Sequence, residues 1–200
     1  MNANANLCFD AIARDTRWHS FTAVEQLILD DFTCRWAIKP GENVLEPGCG
    51  SGRLTAVLAE LTWPGGSVVA FDASAEFISV ASGRGLPPHV RLLKADAETL
   101  ALPAAVFDHV VCFNVYPHLV PLPVITRRLV TTLRPGGTFW IAHTCSRDFV
   151  NAVHRSGPFS LHKHLLPPSE ELRQLLEECG LDNVNVEDGA DRFLAWGVRR

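Results

Sequence analysis

The stretch VLEPGCGSGRLT, Val44 to Thr55, places three glycines at alternate positions between an apolar run and a leucine-rich run. The first run has the pattern of a β-strand and the second that of a helix, so the glycines form a strand-to-helix turn. In open α/β sheets a ligand binds beyond the carboxyl ends of the strands, commonly next to the first strand. A turn without side chains leaves room there and presents backbone amides. Gly48, Gly50 and Gly52 therefore predict a site for a nucleotide-like ligand.

The rest of the chain predicts the sheet around this turn. Short apolar runs such as SVVAF (67–71) and HVVCF (109–113) alternate with helical patterns. They are apolar throughout, which is typical of strands covered by helices on both faces. The last two runs are joined by DGAD (188–191), an Asp-Gly turn signal for a hairpin. We predict an α/β fold with a Rossmann-like, seven-stranded, mostly parallel sheet, helices on both faces and a C-terminal antiparallel hairpin.

Length and pattern predict a single domain over residues 1–200, in four segments. These are an N-terminal helical arm (1–41), a ligand-binding core (42–145), a substrate-side helix with a lid loop (146–168), and a C-terminal helix with the hairpin (169–200). We expect the arm to pack against the sheet edge and lie over the mouth of the site. Its predicted helical stripe consists of Val24, Leu27, Ile28, Asp31 and Phe32. Ser169 is predicted to cap the C-terminal helix and Gly180 to end it.

Composition narrows the class of partner. The formal net charge of -4 and the scattered cations disfavour nucleic acid. The sequence has no cationic start followed by an apolar segment and no run of about eighteen apolar residues, so we expect no membrane insertion and a cytoplasmic location. The six cysteines include no C-x-x-C pair and are expected to be free thiols. The oligomeric state is left open.

Asp72 is the second feature of the predicted ligand site. It ends the run SVVAFD, about twenty residues after the glycine turn, where a carboxylate can accept both hydroxyls of a ribose. The alternative is that Asp72 caps the helix beginning near Ser74. Nicotinamide oxidoreductases and S-adenosylmethionine enzymes both use a glycine turn followed by an acid. The spacing here is G-x-G-x-G rather than the G-x-G-x-x-G that lets a helix approach a pyrophosphate, which favours the second class.

Five motifs follow one another in a familiar order: VLEPGCGSG, AFDAS, KADAETLALPAAVFD, FDHVVCFNVYPHL and LRPGG. From about Phe9 to its end, the chain resembles a class I S-adenosylmethionine-dependent methyltransferase of the small-molecule type related to menaquinone and ubiquinone biosynthesis methyltransferases. The resemblance implies S-adenosyl-L-methionine as cofactor. It also implies cofactor contacts from Glu46 (methionine amino group), Gly48, Gly50, Gly52, Asp72 and Ala73 (ribose), Asp96 and Ala97 (adenine), and Asn114 (methionyl part). Glu46-Pro47 departs from the family's usual aspartate and β-branched residue, which leaves room for a contact through water or to a shifted cofactor.

Methyl transfer from a sulfonium needs alignment and exclusion of water more than acid/base chemistry. A base helps when the acceptor arrives protonated, and histidine suits that task near neutral pH. His118 follows the fourth strand and His143 ends the fifth, so both are placed at the ligand-binding edge. We predict His118, His143 and His154 as catalytic candidates and Tyr116 as a substrate contact. The alternative is that His118 and His143 only pack.

The segment HTCSRDFVNAVHR (143–155) predicts a substrate-side helix capped by Ser146. Arg147, Asn151 and His154 share one face, and Phe149, Val150 and Val153 are expected to anchor another. Arg147 and Asn151 are therefore predicted to bind the substrate, Arg147 through a carboxylate or another oxyanion. The alternative is an ordinary solvated polar face.

The following segment, SGPFSLHKHLLPPS (156–169), is rich in glycine and proline and is predicted to be the lid loop. Its histidines, taken with His143, His154 and Cys145, match no familiar zinc spacing, so no metal is predicted.

The sequence thus predicts methyl transfer to a small metabolite, which we expect to be polar or anionic. A nicotinamide-dependent oxidoreductase is one alternative, although the single tyrosine, Tyr116, precedes a proline and forms no visible Tyr/Lys pair. A noncatalytic protein that binds the cofactor or a partner through the same fold is the other alternative.

Overall fold

The structure is a computed structural model that describes residues 9–158 and 161–200. Its strands are β1 (Asn43–Pro47), β2 (Ser67–Asp72), β3 (Val90–Lys94), β4 (Phe107–Phe113), β5 (Leu133–His143), β6 (Leu181–Asp188) and β7 (Phe193–Arg199). They form a seven-stranded sheet in the order β3-β2-β1-β4-β5-β7-β6. β7 runs antiparallel to both β5 and β6, whereas β1, β2 and β3 pair in parallel, as do β4 and β5. The predicted α/β fold with its C-terminal hairpin is confirmed.

The helices follow the predicted alternation with the strands. They are α1 (Ala23–Trp36), α2 (Arg53–Thr62), α3 (Ala75–Ser82), α4 (Leu122–Thr132), α5 (Arg147–Ser156) and α6 (Ser169–Glu178). Residues 9–13 are helical, and short 3-10 turns occur at Thr16–His19 and Tyr116–His118. Within the described residues, every helix is too short or too polar to cross a membrane. Residues 1–100 and 101–200 form two compact parts, called here the N-terminal half and the C-terminal half.

In the N-terminal half, parallel strands with largely apolar centres build the core. Val44 pairs with Val68, which in turn pairs with Val90 in β3. Val44 and Val68 are fully buried, and Leu54 and Leu58 of α2 are buried with them. Because β1 and β2 run in parallel, their carboxyl ends and the glycine turn lie at the same edge of the sheet.

Helix α1 begins at the capping box that Thr22 and Glu25 form. Its buried residues are Ile28, Leu29, Phe32 and Trp36. Val24 and Leu27 of the predicted stripe are instead 67% and 72% exposed. The stripe was wrong at these two positions because the buried face is turned toward Leu29 and Trp36, and the aromatic Trp36 gives that face more apolar area.

In the C-terminal half, β5 lies between β4 and β7 and is buried over its last five residues. Its pairing with β4 jumps from Leu133 opposite Phe107 to Thr138 opposite His109. The intervening RPGG therefore bulges out of the pairing, as expected of a turn preceding the strand.

The ends of α6 test two sequence predictions. Ser169 is its first helical residue, and the N-cap is Pro168, so the predicted Ser169 cap was wrong. The Ser169 hydroxyl instead donates to Asp188 Oδ2 at 3.3 Å. At the other end, Gly180 adopts a left-handed φ of 99° after the C-cap Cys179, which agrees with the predicted stop.

Candidate functional site

The glycine turn is tied to the end of β2 by backbone hydrogen bonds. Gly48 and Cys49 both donate their N–H groups to the carbonyl of Phe71, at 2.7 and 3.0 Å. Gly48 and Gly50 have φ values of 66° and 53°, a left-handed region that residues with a Cβ avoid. The turn therefore needs glycine at these positions for its own geometry, in addition to any room that a ligand requires. We call residues 47–52 the glycine loop.

Asp72 holds the glycine loop against the start of α3. Its Oδ2 accepts the N–H of Gly50 at 2.9 Å, and its Oδ1 accepts the N–H of Ser74, also at 2.9 Å. Burial raises the pKa of the Asp72 carboxyl, while these amide bonds oppose the rise. The N-cap of α3 is Ser74, whose hydroxyl accepts the N–H of Phe77. The helix is therefore capped by Ser74, and Asp72 bridges two turns.

Glu46 is a buried carboxyl near the end of β1. It is 2% exposed, and its Oε2 accepts a hydrogen bond from the Thr55 hydroxyl at 2.6 Å. Burial raises the pKa of Glu46 to about 8, against the lowering effect of the Thr55 bond and with a smaller rise from Asp72. At neutral pH this side chain is mostly a neutral acid, which a cationic ligand group would convert to a carboxylate.

The N-terminal arm contacts the glycine loop directly. The Ser51 hydroxyl donates to the carbonyl of Trp18 at 2.8 Å, and the Arg84 guanidinium donates to the carbonyls of His19 and Ser51. Arg53 adds an ion pair with Glu25 at 3.0 Å. Residues 18–25 of the arm are thereby fastened to the loop that begins α2.

The remaining predicted cofactor residues of the N-terminal half follow β2 and β3. Ala73 is half-buried beside Asp72. Asp96 lies two residues after β3 and accepts the N–H of Glu98 at 2.9 Å, and Ala97 is buried. The structure thus places each of them just beyond the carboxyl end of a strand, and their contacts to a cofactor stay a prediction.

In the C-terminal half, Asn114 and Tyr116 are already engaged. The Asn114 side chain accepts the N–H of Thr144 at 3.0 Å and donates to the Thr144 hydroxyl at 3.2 Å. Its φ of 52° is left-handed. Tyr116 is fully buried, and its hydroxyl pairs with Thr126 Oγ1 at 2.8 Å. A ligand that contacts the Tyr116 hydroxyl would have to share it with Thr126.

Four buried histidines from different segments come together in this half: His118, His143, His154 and His164. The rings of His118 and His154 lie 4.7 Å apart between centroids, and those of His118 and His164 lie 5.4 Å apart. Nδ1 of His118 is 3.1 Å from Nδ1 of His164. His143 ends β5 and acts electrostatically on His118. We call these four residues the histidine cluster; the described part of the chain holds no group of three or more side chains arranged for a metal ion.

Burial keeps His143 and His154 neutral, and His143 also has a ring nitrogen that is unsatisfied within the described chain. Nε2 of His143 is buried and has no hydrogen-bond partner among the described residues. Burial lowers the pKa of His143 to about 3, and it also lowers the pKa of His154. Both rings are therefore neutral near pH 7. A neutral, partly unsatisfied imidazole can accept or donate a hydrogen bond to an uncharged polar ligand.

Helix α5 has the predicted Ser146 cap, whose hydroxyl accepts the N–H of Phe149, but its faces are reversed. Asn151 and His154 are buried, whereas Phe149 and Val153 are 58% and 47% exposed. The expected apolar anchor was wrong because the polar side chains find buried partners: the Asn151 amide bonds both backbone groups of Leu166, at 3.0 and 2.8 Å. Hydrogen-bonded polar groups are tolerated in a core.

Arg147 is occupied by carboxylates of its own chain. Its Nε lies 2.7 Å from Asp188 Oδ2, and its Nη2 lies 3.3 Å from Asp148 Oδ1. The pKa of Arg147 is raised, chiefly by the hydrogen bond to Asp188. An anionic substrate would have to compete with Asp188 for this guanidinium.

Comparison with known proteins decides the family. Residues 45–141 match the family model described as methyltransferase domain, and this stretch contains the glycine loop and Asp72 and ends within β5. Residues 45–141 belong to the class I S-adenosylmethionine-dependent methyltransferases. The predicted family is confirmed.

The relatives of this chain are named as methyltransferases for different substrates. It is 30% identical over 173 residues to phosphoethanolamine N-methyltransferase 1 of Zea mays, covering 82% of this chain and 33% of that protein. It is 31% identical over 143 residues to the ubiquinone biosynthesis O-methyltransferase of Xanthomonas campestris pv. campestris, covering 70% of this chain and 57% of that protein. The chain thus spans about a third to just over half of the length of these relatives. A solved SAM-dependent methyltransferase from Aquifex aeolicus shares the fold, with a TM-score of 0.70, 21% identity and 98% coverage of both chains.

Several residues that organise these sites were missed by the sequence analysis. Thr55 and Arg84 had no assigned role, and His164 was considered only as a metal ligand. Thr55 lies nine residues after Glu46 and Arg84 lies 33 residues after Ser51, and nothing local marks either pairing. His164 lies within the glycine- and proline-rich segment that predicted a loop, and Phe159 and Ser160 of that segment lie outside the described residues.

Proposed function

We propose that this chain binds S-adenosyl-L-methionine through its N-terminal half and transfers the methyl group to a small polar acceptor. The observation that carries the proposal is Asp72, whose two oxygens each accept one backbone N–H from the turns that follow β1 and β2. A carboxylate has about four acceptor positions, so Asp72 can accept a ribose hydroxyl in addition to its backbone hydrogen bonds. The glycine loop leaves backbone rather than side chain beside it.

Glu46 fits the methionyl end of the same cofactor. A buried carboxyl whose pKa is about 8 because of burial gains a stabilised charge when an ammonium group approaches. Asp96 with Ala97 would contact the adenine, and Asn114 the methionyl part, as the family resemblance implies. When bound, the cofactor supplies an electrophilic methyl group on a good leaving group, so the chain's task is alignment and exclusion of water.

The acceptor side rests on the histidine cluster. Because burial keeps His154 neutral near pH 7, its ring can accept a proton from an acceptor whose reacting O–H or N–H must lose one. His143, whose pKa burial lowers to about 3, suits a hydrogen bond to the acceptor rather than proton abstraction. His154 is proposed as the base, with His118 and His143 beside it. We propose Tyr116, Arg147 and Asn151 as substrate-side residues, where a substrate would compete with the intramolecular partner that each of them has. We also propose that the acceptor is a metabolite rather than a nucleic acid, and that the protein works in the cytoplasm.

Calorimetric titration with S-adenosyl-L-methionine, S-adenosylhomocysteine, NADH and NADPH tests the cofactor. We expect binding of the first two only, and binding of a nicotinamide cofactor alone would favour the oxidoreductase. Incubation with methyl-labelled cofactor and a metabolite extract, followed by mass spectrometry, tests the reaction. A labelled small molecule supports methyl transfer, whereas cofactor binding without any labelled product would favour a noncatalytic role.

A further inference from the structure

The buried face of α5 fixes the backbone of the segment that follows it. Asn151 Nδ2 donates to the carbonyl of Leu166 at 3.0 Å, and the N–H of Leu166 donates to Asn151 Oδ1 at 2.8 Å. Two residues earlier, the carbonyl of His164 accepts a hydrogen bond from His154 Nδ1. The position of His164 is therefore set by two side chains of one helix, on consecutive turns.

This contact decides which nitrogen of His154 carries the hydrogen. A carbonyl oxygen can only accept, so Nδ1 of His154 must be the donor. In a neutral imidazole the other nitrogen, Nε2, then keeps its lone pair. Burial lowers the pKa of His154, which keeps the ring in this neutral form near pH 7.

The ring of His164 fixes a second histidine. Its Nδ1 lies 3.1 Å from Nδ1 of His118, so one of these nitrogens donates and the other accepts. Both rings are at least nine-tenths buried, and burial lowers the pKa of both. The pair is therefore held as two neutral rings sharing one hydrogen, with His154 packed at 4.7 Å against His118.

We propose that His164 is a positioning residue for the acceptor side: its carbonyl holds His154 in the Nδ1–H tautomer, and its ring fixes the orientation of His118. In the reaction, a lone pair of the acceptor atom forms the new bond to the methyl carbon, and the electrons of the broken sulfur–carbon bond stay on sulfur. The acceptor's proton passes to Nε2 of His154. This catalytic role of His154 rests on the proposed function. The assignment of its tautomer rests only on the contacts of the histidine rings.

Long-range ¹H–¹⁵N correlation spectra of protein labelled on the histidine rings test the tautomers at pH 7.5. We expect His154 to be protonated on Nδ1 and unprotonated on Nε2 in the wild type. His164→Phe keeps the backbone carbonyl but removes the ring, so His154 should keep its tautomer while the ring-nitrogen shifts of His118 change. His162→Phe is the matched control, because its ring bonds the carbonyl of Gly157 at 3.0 Å, and it should leave His118 as in the wild type.

A hydrogen on Nε2 of His154 in the wild type, or identical His118 shifts in the wild type and His164→Phe, would overturn the proposal. The catalytic arm uses methyl-labelled cofactor with the acceptor recovered from a metabolite extract. His164→Phe should lower the turnover at least about tenfold and move the acidic limb of the pH profile, with unchanged cofactor affinity. An unchanged pH profile would overturn the positioning role. If the wild type makes no methylated product, the proposed function fails, while the tautomer result still stands.

Discussion

The glycine loop and the histidine cluster satisfy their buried polar groups in different ways. Around the glycine loop, side-chain oxygens meet backbone amides or a hydroxyl: Asp72 accepts from Gly50 and Ser74, and Glu46 accepts from Thr55. In the histidine cluster, ring nitrogens meet one another or a carbonyl, and Nε2 of His143 has no partner among the described residues. The first region is preorganised by backbone geometry, whereas the second depends on single side chains from separate segments and keeps unused hydrogen-bonding capacity.

The largest expected effect is on cofactor affinity, when the carboxylate that holds the glycine loop is removed. Asp72→Ala removes both predicted ribose contacts and leaves the N–H groups of Gly50 and Ser74 without their acceptor. Hydrogen bonds to a charged group contribute about 1.5–3 kcal/mol each, so two of them correspond to about 3–6 kcal/mol of binding free energy. Affinity for S-adenosyl-L-methionine should fall at least about a hundredfold, measured by calorimetry.

Asp182→Ala is the control for this substitution, since Asp182 is exposed and its carboxylate pairs with Arg200 at 2.6 Å, within the C-terminal half. It should bind the cofactor as the wild type does. A cofactor affinity of Asp72→Ala equal to that of Asp182→Ala would remove the basis for placing the ribose at Asp72.

A second prediction concerns the pH dependence of stability that Glu46 causes. Burial raises the pKa of its carboxyl in the folded state from 4.5 to about 8, so between these pH values the folded chain binds more protons than the unfolded one. The free energy of unfolding therefore falls as pH rises through this window, by about 1.4 kcal/mol per pH unit, or about 4 kcal/mol between pH 5 and pH 8. Above pH 8 this contribution levels off.

Glu46→Gln isolates the effect because an amide keeps the shape and an acceptor for Thr55 but does not titrate. Urea denaturation at several pH values should give equal stabilities for wild type and Glu46→Gln near pH 5, and an increasing advantage for the variant toward pH 8. Parallel curves over the whole range would mean that the folded state does not hold Glu46 as a neutral acid.

Sequence reasoning was most successful where the signal is local. The glycine turn, the Asp72 strand end and the Asp-Gly hairpin each lie within a few residues, and backbone geometry alone makes them recognisable. It failed on helix orientation, because a helical pattern shows which residues share a face but not which face is buried. On α5 the buried face is polar, since Asn151 and His154 find partners at Leu166 and His164 that are distant in sequence.

The third prediction concerns the histidine cluster and tests whether Asn151 holds the segment that carries His164. Asn151→Ala leaves the N–H and carbonyl of Leu166 without their buried partners. Each unsatisfied buried group costs about 1–3 kcal/mol, so the two together should lower the free energy of unfolding by at least about 2 kcal/mol, measured by chemical denaturation. An Asn151→Ala chain as stable as the wild type would mean that α5 does not hold the segment carrying His164.

The smallest expected effect is on the opposite face of the same helix. Phe149 is 58% exposed, so Phe149→Ser should change the free energy of unfolding by less than about 0.5 kcal/mol, as is usual for surface substitutions. A phenylalanine anchored in a core would cost about 3–5 kcal/mol when truncated. The orientation of α5 therefore decides which of the two substitutions, Asn151→Ala or Phe149→Ser, lowers the free energy of unfolding more. If Phe149→Ser proved costlier than Asn151→Ala in the same urea experiment, the apolar face would be the buried one, and the contacts that bring His154 to His164 could not form.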